Sequence, residues 1–161
     1  MMIIRNATLS DLDRISEIES ECFSKAEAAT KKDFRNRLEH YPNHFWLIVE
    51  NGMTIAFING MTTDERNLKD EMYEDASMHD ENGSWQMIFG VDTIPSERHK
   101  GYGGKLIEKI ISEAEHENRC GVVLTCKESL VPFYSKFGFE DEGLSQSSHG
   151  GVKWNQMRIT F

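Results

Sequence analysis

Seven consecutive residues, Arg98-His99-Lys100-Gly101-Tyr102-Gly103-Gly104, place two formal cations and three glycines directly ahead of an amphipathic run. Glycines without a Cβ let backbone N–H groups come close to an anion. A helix starting at this point adds unpaired N–H donors and about half a positive charge at its N-terminus. The combination suits a pyrophosphate. Two commoner phosphate motifs are excluded. A Walker A loop needs Gly-Lys followed by Ser or Thr and a further Gly five positions before the second one. Here Gly104-Lys105 is followed by Leu106, and position 99 is His. A dinucleotide fingerprint fails as well, because Gly101-x-Gly103 is followed at the required place by Leu106. The alternative is a glycine-rich turn that binds nothing, and Pro95, Arg98 and the helix that follows weigh against it.

The surrounding pattern supplies elements to hold that turn. Met2 to Ala7 reads as a short strand. Thr8 or Ser10 caps a helix from near Asp11, with Leu12, Ile15, Ile18 and Cys22 at helical spacing. A second helix is predicted over Thr30–Glu39, ended by Pro42. Phe45–Glu50 and Thr54–Met61 flank Asn51-Gly52, a strong hairpin signal because that pair tolerates positive φ. Trp85 to Thr93 reads as one long buried strand ending at Pro95. Gly103 to Asn118 is a helix whose Leu106, Ile107, Ile110, Ile111 and Ala114 share a face. Val122–Thr125 is a compact strand, Leu130–Lys136 a short helix closed by Gly138, and Val152–Phe161 a final strand. This order gives a mixed α/β domain without internal repeats. Between Asp64 and Glu81, eight residues are acidic. That stretch reads as a solvated loop with one short helix, or more sharply as a lid over an acceptor site.

Bulk properties narrow the function. A chain of 161 residues fits one domain, 1–161, with residues 64–83 as an acidic insert. No apolar stretch approaches the ~20 residues that span a bilayer, and Met1 to Asn6 lacks the organisation of a signal peptide. Three cysteines without metal-like spacing fit reduced thiols, so a cytoplasmic location is expected and no metal. A net charge of −9 disfavours nucleic acid and suits a cationic acceptor such as an amine.

Taken together, the chain resembles the GNAT superfamily of acyl-CoA N-acyltransferases. Arg98-x-x-Gly101-x-Gly103 matches the Gln/Arg-x-x-Gly-x-Gly/Ala signature. Leu130-Val131-Pro132-Phe133-Tyr134-Ser135-Lys136-Phe137-Gly138-Phe139 is similar to the late helix-and-turn segment, in the form found in arylalkylamine (serotonin-type) N-acetyltransferases. Ala56 to Gly60, followed by Asp64-Glu65-Arg66, resembles the third strand and loop of that family. The resemblance runs from Phe45 to Phe139. It implies a single GNAT-type α/β domain, with a mixed, mostly antiparallel central sheet of six to seven strands, a splayed parallel pair and about four helices. It implies acetyl-CoA as co-substrate, with the pantetheine arm along Val91, Asp92 and Thr93. The pyrophosphate would rest on Arg98, His99, Lys100, Gly101, Tyr102, Gly103 and Gly104, with Val122–Thr125 as the other wall of the gap. Tyr134 matches the tyrosine that protonates the departing thiolate in related enzymes.

The general base is where the chain departs from its relatives. The two strand positions that carry histidines in the animal arylalkylamine enzymes are here Met87 and Phe89. Glu27, His79, Asp80 and Glu81 remain as candidates, each also readable as solvated surface. The loop Ser24 to Ala28 does not match the ring-gripping loop of those enzymes. Trp46 and Trp85 read as core or as cavity lining, and Cys126 as a small hydrophobe rather than a covalent nucleophile. The expected activity is acetyl transfer to a small primary amine (arylalkyl- or polyamine), by direct attack, in a monomer or homodimer. The alternatives are a protein lysine or N-terminal acetyltransferase and a non-catalytic acyl-CoA-binding module.

Overall fold

Thr30 shows how closely local chemistry sets the elements: its hydroxyl accepts from Asp33 N and the Asp33 carboxylate accepts from Thr30 N, opening helix α2 at Lys31–His40. The computed structural model describes all residues, 1–161. Ahead of α2 lie strand β1 (Met2–Asn6) and helix α1 (Leu12–Cys22), whose Leu12, Ile15 and Ile18 are buried. Strands β2 (Phe45–Glu50) and β3 (Met53–Asn59) form the expected hairpin, with Asn51 and Gly52 at φ 51° and 81°. Strand β4 (Thr62–Thr63), the single-turn helix α3 (Glu71–Glu74), strands β5 (Trp85–Ile88) and β6 (Gly90–Thr93) and the long helix α4 (Tyr102–His116) follow. The chain closes with β7 (Gly121–Cys126), α5 (Val131–Ser135), β8 (Glu140–Leu144) and β9 (Asn155–Thr160).

The single expected sheet resolves into two: β1-β2-β3-β6, entirely antiparallel, and β4-β5-β7-β9-β8, in which only β5 and β7 run parallel. The division arises at Phe89. Its N–H donates to Asn59 O, and Gly90 also pairs with Asn59, so two residues oppose one. Such a bulge bends a strand and re-aims its edge. The predicted strand Trp85–Thr93 is therefore two strands belonging to different sheets. Gly60 sits in the crossing, where a Cβ would lie 1.8 Å from Met87 O, so no other residue fits there. The buried Gln86 amide donates to the carbonyls of Gly60 and Met87 in the same corner.

The main core packs α1, α2 and α4 onto the sheet around Ile15, Phe34, Phe57 and Leu106. A second cluster joins Leu68, Met72 and Ala76 to Tyr41, Met61, Met87 and Val123. The acidic stretch is thus a well-anchored segment with an apolar underside. Strand β8 was not expected, because Glu140-Asp141-Glu142-Gly143-Leu144 has no apolar alternation. It is held by pairing with β9 and by the Glu142–Arg158 ion pair at 3.0 Å.

Candidate active site

The bulge opens the strand pair. Parallel pairing runs from Trp85↔Gly121 to Ile88↔Leu124 and stops, while β6 continues paired only to β3. Ile94 N donates to Ile55 O, and Phe57 lies opposite Asp92. Hydrogen-bonded pairs alternate along an antiparallel ladder, so the peptide groups of Asp92 face β3 and those of Val91 and Thr93 face the gap. Thr125 and Cys126 form its other side, beyond the last residue of β7 that β5 engages. One acceptor on this edge is already engaged: Thr93 O receives Cys22 Sγ and Arg98 Nε, each at 3.3 Å.

At the end of β6 the glycine turn enters α4. His99 and Gly101 take φ of 65° and 85°, and Gly101 is the N-cap residue. A non-glycine residue at positive φ is uncommon, and here it turns the backbone sharply into the helix. The first α4 bond runs from Lys105 N to Gly101 O, so the N–H groups of Tyr102, Gly103 and Gly104 precede any intrahelical acceptor. Gly103 faces the opened strand: a Cβ there would lie 3.6 Å from Val91 Cγ1 and 4.0 Å from Thr93 Oγ1. Gly104 serves packing, because its Cβ would stand 3.1 Å from Phe137 Cζ. Arg98 folds back on Thr93 O, and Lys100 pairs with Glu97 at 2.7 Å on the exposed surface. The backbone of the turn, with its unpaired donors next to a free strand edge, could hold a phosphorylated ligand whose arm lies in the gap.

The gap leads into a cavity of about 610 Å³. Phe89, Gly90, Val91, Thr125, Cys126 and Tyr134 line its inner end. Tyr134 is half-buried, its ring edge-on to Phe133 and Phe139, and its hydroxyl has no protein partner. Burial, then the neighbouring Cys126 and Asp92, push the phenol above its ordinary value, so Tyr134 is fully protonated at neutral pH. Burial likewise pushes the Cys126 thiol up to about 11, and its Sγ donates to Met157 Sδ at 3.6 Å. A neutral buried thiol is a poor nucleophile.

Residues from distant parts of the chain form the outer end. His149 stacks on Tyr73 with ring centroids 4.7 Å apart, and its Nε2 donates to Glu27 O at 2.8 Å. Ser147 Oγ and Ser148 N donate to Asp70. These contacts carry the segment after β8 across the cavity, joining the α1–α2 loop to the acidic stretch. Asp70, Glu71 and Glu74 therefore border the cavity. Glu19, Glu27 and Asp33 add further carboxylates, and Phe23, Tyr73, Phe89 and Trp154 add aromatic surface. No spacing in the sequence revealed His149, Trp154 or Tyr73, since tertiary packing alone brings them together.

Of the four candidate bases, only Glu27 is here, and its carboxylate pairs with Lys127 at 2.9 Å. His79 and Glu81 belong to a cluster with His44 and Arg119, outside the cavity. Thr62 N donates to His79 Nδ1, so Nε2 carries the proton and donates to Glu81 at 3.0 Å. In this arrangement Nε2 presents its proton to Glu81, and the cluster ties the segment ahead of β5 to the second core. Asp80 lies on a separate surface depression. Met87 is buried in the second core, whereas Phe89 reaches the cavity. Trp46 and Trp85 lie elsewhere, under Lys109 and Arg158 respectively.

The family described as Acetyltransferase (GNAT) family matches residues 12–139. Serotonin N-acetyltransferase of Mesocricetus auratus is 25% identical over 162 residues, covering 98% of this chain and 76% of that protein. A protein of Bacillus subtilis (strain 168) named probable hydrolase YhcX is 23% identical over 146 residues, 86% of this chain. The chain spans 28% of the length of that relative. The loading GNATL domain of CurA from Lyngbya majuscula superposes with a TM-score of 0.86 at 14% identity, covering 99% of this chain and 98% of that one. At such identity the likeness is one of fold.

Proposed function

The chain belongs to the acetyltransferase (GNAT) family of acetyl-CoA-dependent enzymes, and we propose that it transfers the acetyl group directly to a small primary amine with Tyr134 as general acid. The observation that carries this reading is the opened strand pair. Peptide groups of Val91 and Thr93 face a gap that starts at the glycine turn and ends at Tyr134. A phosphorylated arm laid along that gap delivers its thioester to the bulge at Phe89–Gly90, beside the Tyr134 phenol.

The chemistry then follows from charge. The acceptor enters as an ammonium and must lose a proton before its lone pair attacks the thioester carbon. The cavity carries several carboxylates and aromatic faces, which attract a cation and hold its apolar part. Collapse of the tetrahedral adduct expels a thiolate, and Tyr134 donates the proton it needs. Such a general acid contributes on the order of 10²–10⁴ in rate. The neutral Cys126 thiol favours direct attack over an acyl-enzyme.

A small acceptor is favoured over a protein chain because the bridges from His149 to Glu27 and from Ser147 to Asp70 roof the cavity. Incubating acetyl-CoA with a panel of amines and peptides, and following free thiol, tests the reading. Small primary amines should give the highest kcat/KM. Turnover confined to peptides would move the assignment to protein acetylation, and binding without thiol release would leave a non-catalytic acyl-CoA module.

A further inference from the structure

Asp92 is buried without a partner: it is 1% exposed and both carboxyl oxygens lack a donor. A buried polar group without a partner is costly, and more so when charged. Its backbone serves the β3 ladder, and its carboxyl lies on the face of β6 that α1 packs against, beside the Glu19 carboxyl. Glu19 is itself 7% exposed, accepts from Ala29 N at 2.8 Å and lines the cavity. The pair is next to the bulge, since a Cβ on Gly90 would stand 3.3 Å from Asp92 Oδ1.

Resting on the transfer reading above, we propose that Glu19 and Asp92 form a proton-sharing dyad. Glu19 takes the proton of the bound ammonium, and Asp92, behind it, sets the basicity of the pair. Two carboxyls in contact inside a protein cannot both ionise easily, so one proton stays between them. Burial first, then the adjoining Glu19 carboxyl, which can bond to Asp92 only when one of the two is protonated and otherwise repels it, hold Asp92 well above the usual carboxylate range; Cys22 adds to this and Arg37 opposes it. These are the charged and titratable groups that face Asp92 from α1 and α2, with Arg98 beyond Cys22 and the Tyr134 phenol of α5 close enough to feel the Asp92 charge. Strand β3 contributes only the neutral Asn59 at this point.

The steps balance. Once the shared proton has left to solvent, the pair accepts one proton from the ammonium through Glu19. The neutral amine forms the C–N bond, the C–S bond breaks, and the thiolate takes the Tyr134 proton. The amide nitrogen's surplus proton restores the Tyr134 phenol, and the dyad releases its proton to solvent. One acetyl group is transferred and one proton is released to solvent per turnover. Glu19 is the catalytic residue here, and Asp92 is a positioning residue.

The test is the pH profile of kcat/KM for wild type, Glu19→Gln and Asp92→Asn, alongside infrared titration of the protein without ligand. In Asp92→Asn the acid limb should move at least one pH unit lower, because no second carboxyl holds the proton. Glu19→Gln keeps an acceptor for Ala29 N; its rate should fall at least tenfold at pH 7 and approach wild type where the amine deprotonates itself. Wild type should show a protonated-carboxyl band that titrates above the ordinary carboxylate range and is missing in Asp92→Asn, a readout independent of turnover. An unmoved acid limb together with an unchanged band overturns the dyad while leaving acetyl transfer standing. Wild type that binds coenzyme A but releases no thiol overturns the transfer reading and the dyad with it.

Discussion

Replacing Tyr134 by Phe removes one oxygen and leaves the packing in place. The ring of Tyr134 meets Phe133 at 5.1 Å and Phe139 at 6.0 Å, both edge-on, and Phe keeps these contacts. Its hydroxyl bonds to no protein group, so the substitution breaks no hydrogen bond within the fold. Folding stability should therefore change by less than about 0.5 kcal/mol, the range of substitutions that disturb no buried interaction. Catalysis should respond differently. A lost general acid of the usual effect lowers kcat by about 10²-fold, or ~2.7 kcal/mol of transition-state stabilisation. Because burial keeps the phenol above its ordinary value, wild type should show no alkaline loss of activity below about pH 10. Thiol release under saturating acetyl-CoA gives kcat, and calorimetry with coenzyme A gives affinity. At least a tenfold loss in kcat with affinity within threefold is expected. A variant that turns over like wild type would remove Tyr134 from the proton transfer.

Gly101→Glu should cost coenzyme A affinity at least tenfold by calorimetry, because φ is 85° there and a carboxylate would sit beside the helix N-terminus; unchanged binding would place the phosphates elsewhere. Gly60→Ala should lower thermal stability by about 1–3 kcal/mol or more, since its Cβ meets the Met87 carbonyl at 1.8 Å; an unchanged melting temperature would refute that packing. His79 is held below its ordinary 6.5 mainly by burial. Its stabilising contribution is thus complete above about pH 6.5 and declines as pH falls through the folded value. His79→Gln should therefore cost more stability at pH 7.5 than at pH 5, as melting curves at the two values would show. A gap that widens at pH 5 would reverse the sign.

Elements built from strong local signals are legible in the sequence. The run Thr30–Glu39 reads as a helix, Asn51-Gly52 as a hairpin, and the apolar stripe of α4 as a long helix behind the glycine turn, whereas the Thr30–Asp33 cap emerges only in the structure. The bulge at Phe89 was not legible, because Trp85 to Thr93 is uniformly strand-forming and only the competition for Asn59 splits it. Strand β8 is illegible for the opposite reason: its residues are mostly exposed and charged, and pairing rather than pattern makes it a strand. The site divides in the same way. The turn and Tyr134 are local motifs, whereas the outer cavity assembles from Glu19, Glu27, Asp70, Tyr73, His149 and Trp154, which share no spacing. In the sequence Asp92 reads as a strand position along the pantetheine arm. The alternation of the ladder turns its side chain to the other face, toward Glu19.

The central claim is that the edge freed by the bulge and the amides of the turn grip the pantetheine and diphosphate of coenzyme A. Backbone amide NMR during a coenzyme A titration addresses it residue by residue. Saturable shifts should concentrate at Val91, Thr93 and the stretch from His99 to Gly104, while the His44–His79–Glu81 cluster stays still. Amides of the turn that remain unmoved at millimolar ligand, or shifts gathered at that distant cluster, would contradict it.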